Sequence, residues 1–393
     1  MTDVEANKSI LPSIKFKDII PLSDGSDSLS LLEAKHLNRM LQVNFCSHFL
    51  SQRYIQEPNK SIISPDNDPF FVVDTMTFHK ELIANNALSF PGIFGGQDCL
   101  RTQNYSNYRR FINSTEVILQ YMSHFRMLGV TAHPESNIFQ EGWNFLTNRL
   151  GLETDDVVIK LSDQDTDLIK GFFDAGIPQE NLIIEDENNR PEYYRWNYGE
   201  KTAMRNLTGK GATFAIRGKS KSYKDVGNLI AIKDIRGSTL AYDYGFGVET
   251  LSSAIFGFEN PFRASIIGAI TDNFRRDIRS SRSTHWDVLS DAVASSVAMI
   301  KAGIKPKSRG AANKICAQTI NAAIEISLND IPGISLGPGA FNEIADAYVS
   351  EYYGWNSEGN DIAIKTLINQ ISGQIYRNPR TGRFSIARNP QNN

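Results

Sequence analysis

The stretch between residues 241 and 250 combines an acid with two closely spaced glycines. Asp243, Gly245 and Gly247 follow an apolar run at residues 228–233, which we interpret as a buried strand, and precede an expected helix start. Glycine lets a backbone approach a ligand closely, and a helix N-terminus attracts anions. We therefore predict a ligand-binding elbow around Asp243, although an Asp-x-Gly-x-Gly pattern is more often only a turn.

Two basic stretches offer further candidate ligands for an anion. Residues 88–110 read as an irregular segment that carries Arg101 and Arg109. Residues 201–224 are rich in Lys, Arg and Gly, include Lys210, and are typical of a hairpin around a charged turn. A phosphate site is one interpretation of this hairpin, and a solvated tip is the other.

The composition excludes several classes of protein. The net charge of −3 gives no global basic surface, so we expect no binding to DNA. No run of about 20 apolar residues occurs, and the N-terminus lacks the pattern of a signal peptide, so we expect a cytoplasmic protein without membrane contact. The three cysteines are far apart and no His-x-x-x-His pair occurs, so we predict no metal site.

The expected elements divide the chain into a mixed part and a helical part. Ser30 and Glu33 have the spacing of a capping box and predict a helix that continues to about Tyr54. Strand and helix patterns then alternate, and only helices are expected after Phe256. The predicted units are a flexible leader at 1–30, a catalytic domain at 31–256, an all-helical domain at 257–376 and a flexible basic tail at 377–393.

Several motifs, taken in order, resemble those of alanyl-tRNA synthetases, a class II family. The matching segments are residues 67–76, 97–101, 124–129, 243–250 and 302–310. Their order from about residue 31 to 375 is similar to that of the family's catalytic domain and following helical domain. The resemblance implies an α+β fold, with six or seven antiparallel strands flanked by helices and followed by an all-helical domain. We expect the editing and C-terminal domains of the family to be absent.

The resemblance also implies roles for particular residues. Arg101 matches the arginine that holds the α-phosphate and the amino-acid carboxylate. Phe125 matches the ring that stacks on adenine, although core packing is the preferred interpretation of Phe125 without the resemblance. Asp243 matches the carboxylate that pairs with the substrate ammonium, and Trp196 matches the wall of the side-chain pocket. Gly245 and Gly247 form the close turn. The implied co-substrate is ATP, with Mg²⁺ as its candidate companion.

The chain departs from the family at two positions of the expected site. Arg126 stands where the family has a glutamate, and Thr250 stands where it has the arginine that binds the γ-phosphate. Loss of such a charge-assisted contact costs roughly 1.5–3 kcal/mol. We expect Arg126, Arg109 or Lys210 to compensate by reaching a phosphate from another direction, or ATP binding to be lost or altered.

The helical part departs as well, since residues 311–320 carry Lys314 as their one charged residue where the family has an arginine-rich helix that grips tRNA. Weak tRNA binding is therefore expected. The favoured hypothesis is a ligase that activates alanine or a related small amino acid and transfers it to a small-molecule acceptor. The alternatives are a pseudo-synthetase that regulates a partner and a truncated tRNA-charging enzyme. A homodimer is left open.

Overall fold

A nine-stranded mixed sheet forms the centre of the computed structural model. The structure describes residues 28–65, 71–72, 74–102, 104–105, 108, 120–198, 202–218, 222–279, 284–330, 336–354, 357–377, 379 and 384–386. No helix in these ranges is long and apolar enough to cross a membrane.

The order of the strands is β1-β2-β3-β9-β8-β7-β4-β5, with β6 also paired to β7. The strands are β1 (Ile55–Gln56), β2 (Gly92–Leu100), β3 (His124–Ala132), β4 (Val157–Ser162), β5 (Leu182–Glu185), β6 (Arg195–Asn197), β7 (Thr208–Ile216), β8 (Lys224–Lys233) and β9 (Thr239–Gly247). All central pairings are antiparallel, whereas β1–β2 and β4–β5 at the two ends are parallel. The predicted α+β architecture is confirmed, with more strands than expected and two parallel edges.

Helices precede, interrupt and follow the sheet. They are α1 (Leu31–Ser51), α2 (Lys80–Ala84), α3 (Ile138–Asn144), α4 (Thr166–Asp174), α5 (Val248–Phe256), α6 (Ile266–Asp277), α7 (Thr284–Lys301), α8 (Ala311–Glu325), α9 (Pro338–Tyr348) and α10 (Asn360–Ser372). At the start of α1 the Ser30 hydroxyl accepts the Glu33 N–H and the Glu33 carboxylate accepts the Ser30 N–H, so the predicted capping box is confirmed.

The sheet buries different side chains on its two faces because successive residues of a strand point in opposite directions. On β8, Leu229 and Ala231 lie in the main hydrophobic core. Ile230 and Ile232 lie instead in a smaller cluster with Met76 and other residues. The candidate site lies on the face that carries Ile230.

The local structure corrects two expectations. Residues 88–110 are not irregular throughout, because β2 occupies Gly92–Leu100 and pairs with nine residues of β3. The helix after the glycine-rich stretch begins at Val248, and Asp243 lies within β9. Asp243 therefore occupies a rigid strand position rather than an elbow.

Both ends of the described chain make contacts with the rest of the protein. Leu29 is buried, and its N–H donates to the carbonyl of Arg263. Near the C-terminus, β10 (Ile375–Arg377) pairs with β11 (Phe384–Ile386), and the Phe384 ring lies against Gly337. The remainder of the expected leader and most of the expected tail lie outside the described residues.

The C-terminal helices pack directly against the sheet. The buried carboxylate of Asp291 on α7 accepts the Ser123 N–H at 2.7 Å and the hydroxyls of Ser123 and Tyr108, both at 2.5 Å. One hydrophobic core runs from α1 through the sheet to α10. The division of the chain at residue 256 into two domains therefore stays a proposal.

Candidate functional site

A cleft of about 300 Å³ opens on the sheet face that carries Ile230. Its walls come from the ends of β2 and β3, from β6 to β9 and from the first turn of α5. Six of the ten predicted site residues line this cleft: Arg101, Phe125, Trp196, Gly245, Gly247 and Thr250. Strands that are distant in sequence therefore bring together residues from 101 to 250.

Arg101 is a cation that lines the cleft. It follows β2 directly, and its guanidinium carbon lies 4.6 Å from the ring centre of Tyr121 and 5.6 Å from that of Phe125. Burial lowers the pKa of Arg101, and no described carboxylate forms an ion pair with it. A partly desolvated guanidinium of this kind is well suited to bind a phosphate or carboxylate.

Phe125 is a core residue that also forms part of the cleft wall. Its side chain is 7% exposed and belongs to the main hydrophobic core. Its ring also lines the cleft beside Arg101. Core packing therefore fixes an aromatic surface at the cleft wall, where a flat base could stack.

Glycines on β7 and β9 stand where a side chain would have no room. A Cβ atom on Gly245 would lie 2.9 Å from the carbonyl oxygen of Leu128, and one on Gly211 would lie 2.7 Å from the carbonyl oxygen of Leu229, with Cζ3 of Trp196 also near. Real Cβ contacts are almost never this short, so a side chain at either position would displace its neighbour. Gly211 thus allows the Trp196 ring to lie directly on the sheet.

Asp243 lies on the same sheet face as Gly245, two residues earlier on β9, but outside the cleft lining. It is 8% exposed and has Ile230 of β8 and Thr131 of β3 as direct neighbours in the sheet. Burial, and secondarily the charge of Asp74, raises the pKa of Asp243 well above its ordinary range. No hydrogen-bond or ion-pair partner among the described residues compensates this carboxyl group.

Two of the other predicted residues, Arg126 and Lys210, do not line the cleft. Arg126 lies between Phe125 and Met127 on β3, and its side chain points to the opposite face, where it pairs with Asp98. Lys210 likewise alternates with Gly209 and Gly211 and pairs with Asp165 and Asp167. Neither side chain is part of the cleft lining. The predicted ligand Arg109 lies outside the described residues.

The cleft also contains side chains that the motifs did not indicate. Asn228 of β8 is the direct neighbour of Gly245 and of Thr213 on β7, and all three line the cleft. Tyr121 and Asp225 line it as well. Strand alternation places Asn228 and Thr213 on the same sheet face as Gly245. That pattern identifies them as cleft residues only when the order of the strands is known.

The sequence of the chain is similar to part of the alanine–tRNA ligase sequence. No protein-family model matches the chain. The chain is 22% identical over 300 residues to the alanine–tRNA ligases of Tropheryma whipplei strains Twist and TW08/27. This match covers 69% of the chain and 32% of the ligase, so the chain spans about a third of the relatives' length. The predicted resemblance to alanyl-tRNA synthetases is confirmed as a sequence similarity.

Solved structures of two synthetases are similar to the chain at low scores. An asparaginyl-tRNA synthetase of Pyrococcus horikoshii, complexed with asparaginyl-adenylate, has a TM-score of 0.37 and 8% identity, covering 60% of this chain and 68% of that one. The asparaginyl-tRNA synthetase of Entamoeba histolytica, also in complex with asparaginyl-adenylate, has a TM-score of 0.36 and 10% identity, covering 60% and 66%.

Proposed function

We propose that the protein is an ATP-dependent ligase that activates alanine or a related small amino acid as its adenylate and transfers it to a small-molecule acceptor. The observation that carries the proposal is a pair of groups for which no described residue provides an ion-pair partner, the Arg101 guanidinium and the buried Asp243 carboxyl group. An amino acid being activated presents a matching pair, an ammonium at one end and anionic oxygens at the other. The similarity to alanine–tRNA ligases supports the same assignment.

In the first step, an oxygen of the amino-acid carboxylate attacks the α-phosphorus of ATP. The bond between that phosphorus and the bridging oxygen breaks, and pyrophosphate leaves. Arg101 would hold both reacting groups, since its planar fork donates to two oxyanions at once. The ring of Phe125 would stack on the adenine of ATP, and the carboxylate of Asp243 would pair with the ammonium of the amino acid. These residues act by orientation and by charge neutralisation.

In the second step, an amine or hydroxyl of the acceptor attacks the carbonyl carbon of the adenylate. The bond from that carbon to the phosphate oxygen breaks, AMP leaves, and the acceptor loses a proton. The Trp196 ring, held against Gly211, would limit the size of the activated side chain. Within the described residues no group of three or more His, Cys, Asp or Glu could hold a metal ion, so Mg²⁺ stays an untested prediction.

The test is amino-acid-dependent exchange of labelled pyrophosphate into ATP, measured with alanine, glycine, serine and a set of larger amino acids. We expect exchange with a small amino acid, and its loss in Arg101→Ala and Asp243→Asn. Lys170→Met is the matched control, because its pair with Asp174 is exposed on α4. Absence of exchange with every amino acid, in a protein that is folded, would refute the activation step.

One observation favours a second candidate, a pseudo-synthetase that binds a nucleotide or amino acid and regulates a partner. Thr250 lines the cleft where the family has an arginine, and neither Arg126 nor Lys210 takes over its place. Calorimetry with ATP, AMP and alanine separates the two candidates, since binding without exchange supports regulation. Charging of tRNA is the third hypothesis, and a gel shift with alanine tRNA at physiological salt tests it.

A further inference from the structure

A second cavity of about 280 Å³ adjoins the cleft. Both cavities are lined by Tyr121, Asp225 and Thr250, so they meet at these three residues. The second cavity extends away from Asp243, towards the start of β8 and the middle of α5. Thr250 has a short side chain, so it separates the cleft from the second cavity less than a long side chain would.

Lys224 lines the second cavity, and no described carboxylate forms an ion pair with it. Its ammonium donates to the carbonyl oxygen of Phe258. Burial lowers the pKa of Lys224, and the charge of Glu259 opposes this only in part. The carboxylate of Glu259 is itself exposed and lies 3.6 Å from Arg263. An ammonium has three donors, so Lys224 can still donate to a bound anion.

Lys160 of β4 is the second lysine of this cavity. Its ammonium lies 2.7 Å from a carboxylate oxygen of Asp225, and its side chain is 17% exposed. The other oxygen of Asp225 accepts the hydroxyl of Tyr193 at 2.5 Å. Asp225 is therefore already held by two donors, and Lys160 has two more N–H groups to offer.

From these contacts we propose that the second cavity is a phosphate subsite, in which Lys160 and Lys224 bind the phosphate of a ligand that enters past Thr250. The inference rests on the proposed function and adds the part of the ligand that the cleft itself does not hold. The phosphate would belong either to the β,γ end of ATP or to a phosphorylated acceptor. In both cases, Lys160 and Lys224 would supply the positive charge for the phosphate. In the alanyl-tRNA synthetases that charge comes from the arginine that corresponds to Thr250.

The experiment uses inorganic pyrophosphate, ATP and AMP as calorimetric probes of the full chain at fixed ionic strength. We expect Lys160→Gln with Lys224→Gln to weaken pyrophosphate binding about tenfold or more, as for loss of charge-assisted hydrogen bonds. The double variant Lys160→Arg with Lys224→Arg keeps both charges and should bind within a few-fold of the wild type. Lys170→Met is again the control, and thermal unfolding checks that each variant is folded.

The nucleotides identify the source of the phosphate. If the glutamine variant loses affinity for ATP but not for AMP, the β,γ-phosphates occupy the subsite. If ATP and AMP are unaffected and pyrophosphate still binds through the lysines beside saturating AMP, the subsite takes a separate phosphorylated ligand. Both outcomes support the inference.

The inference is overturned if the wild type does not bind pyrophosphate, or binds it as tightly as the folded glutamine variant does. Failure of the proposed ligase looks different. In that case lysine-dependent pyrophosphate binding persists, while no amino acid supports exchange.

Discussion

The ε nitrogen of Arg126 lies 2.7 Å from Oδ1 of Asp98, its direct neighbour across β2 and β3. The hydroxyl of Tyr352, just after α9, donates to the same oxygen at 2.9 Å. The backbone N–H of Arg126 donates to Glu249 at 3.2 Å. The positive charge of Arg126 therefore belongs to a buried contact between the sheet and the C-terminal helices.

Replacement of Arg126 should destabilise the protein rather than weaken ligand binding. Arg126→Ala leaves the carboxylate of Asp98 buried without its partner, which costs about 3–5 kcal/mol. Arg126→Glu should cost more, because it places a third acid beside Asp98 and Glu249. Urea unfolding measures the loss, and the control Lys170→Met should change stability by less than about 0.5 kcal/mol. A stable Arg126→Glu protein with weakened ATP binding would instead place Arg126 in the ligand site.

Glu249 should make stability depend on pH. Burial raises the pKa of Glu249 to about 7, against the effect of the Arg126 contacts. The unfolded chain releases this proton near pH 4.3, whereas the folded protein keeps it to about pH 7. The free energy of unfolding should therefore fall as pH rises through this window. Glu249→Gln should remove that part of the fall between pH 5 and pH 8, and an unchanged slope would contradict the assignment.

Asp243 should couple amino-acid binding to release of a proton. Its raised pKa favours the protonated form in the free protein, and an ammonium ligand would stabilise the charged form. Affinity for the amino acid should therefore rise with pH until the free carboxyl group has ionised. Calorimetry in buffers of different ionisation enthalpy measures the released proton. Asp243→Asn should abolish this proton release together with most of the affinity, and binding that is equally tight in the variant would show that the ammonium lies elsewhere.

Trp196 should limit the size of the amino acid that is bound. Its ring lies on Gly211, so Trp196→Ala would open space above the sheet. We expect the variant to gain affinity for larger apolar amino acids relative to alanine, by about 10-fold or more. A competition series from alanine to leucine measures the change. An unchanged order of preference would mean that another residue forms the pocket wall.

Much of the fold could be predicted because short sequence patterns indicate individual helices and strands. The Ser30–Glu33 capping box and the apolar run at residues 228–233 gave α1 and the inner part of β8. β2 was partly missed, because Gly92, Gly95 and Gly96 have the composition of a loop. Its strand conformation depends on pairing with β3, which no short stretch of sequence shows.

The candidate site could be predicted only in part, and for a related reason. Motif positions gave Arg101, Phe125 and Trp196, which the structure brings together in the cleft. Charge alone suggested Arg126 and Lys210 as phosphate ligands. Strand alternation sends both side chains to the opposite face, and that face is known only from the register of the sheet.

The most direct measurement is calorimetric binding of the sulfamoyl analogue of alanyl adenylate, which joins a small amino acid to adenosine without a reactive phosphate. The wild type should bind it at least about 100-fold more tightly than AMP or alanine alone, since one molecule would engage both Arg101 and Asp243. Arg101→Ala and Asp243→Asn should each remove most of this gain. Absence of binding, or binding that neither substitution weakens, would contradict the account of the cleft as an aminoacyl-adenylate site.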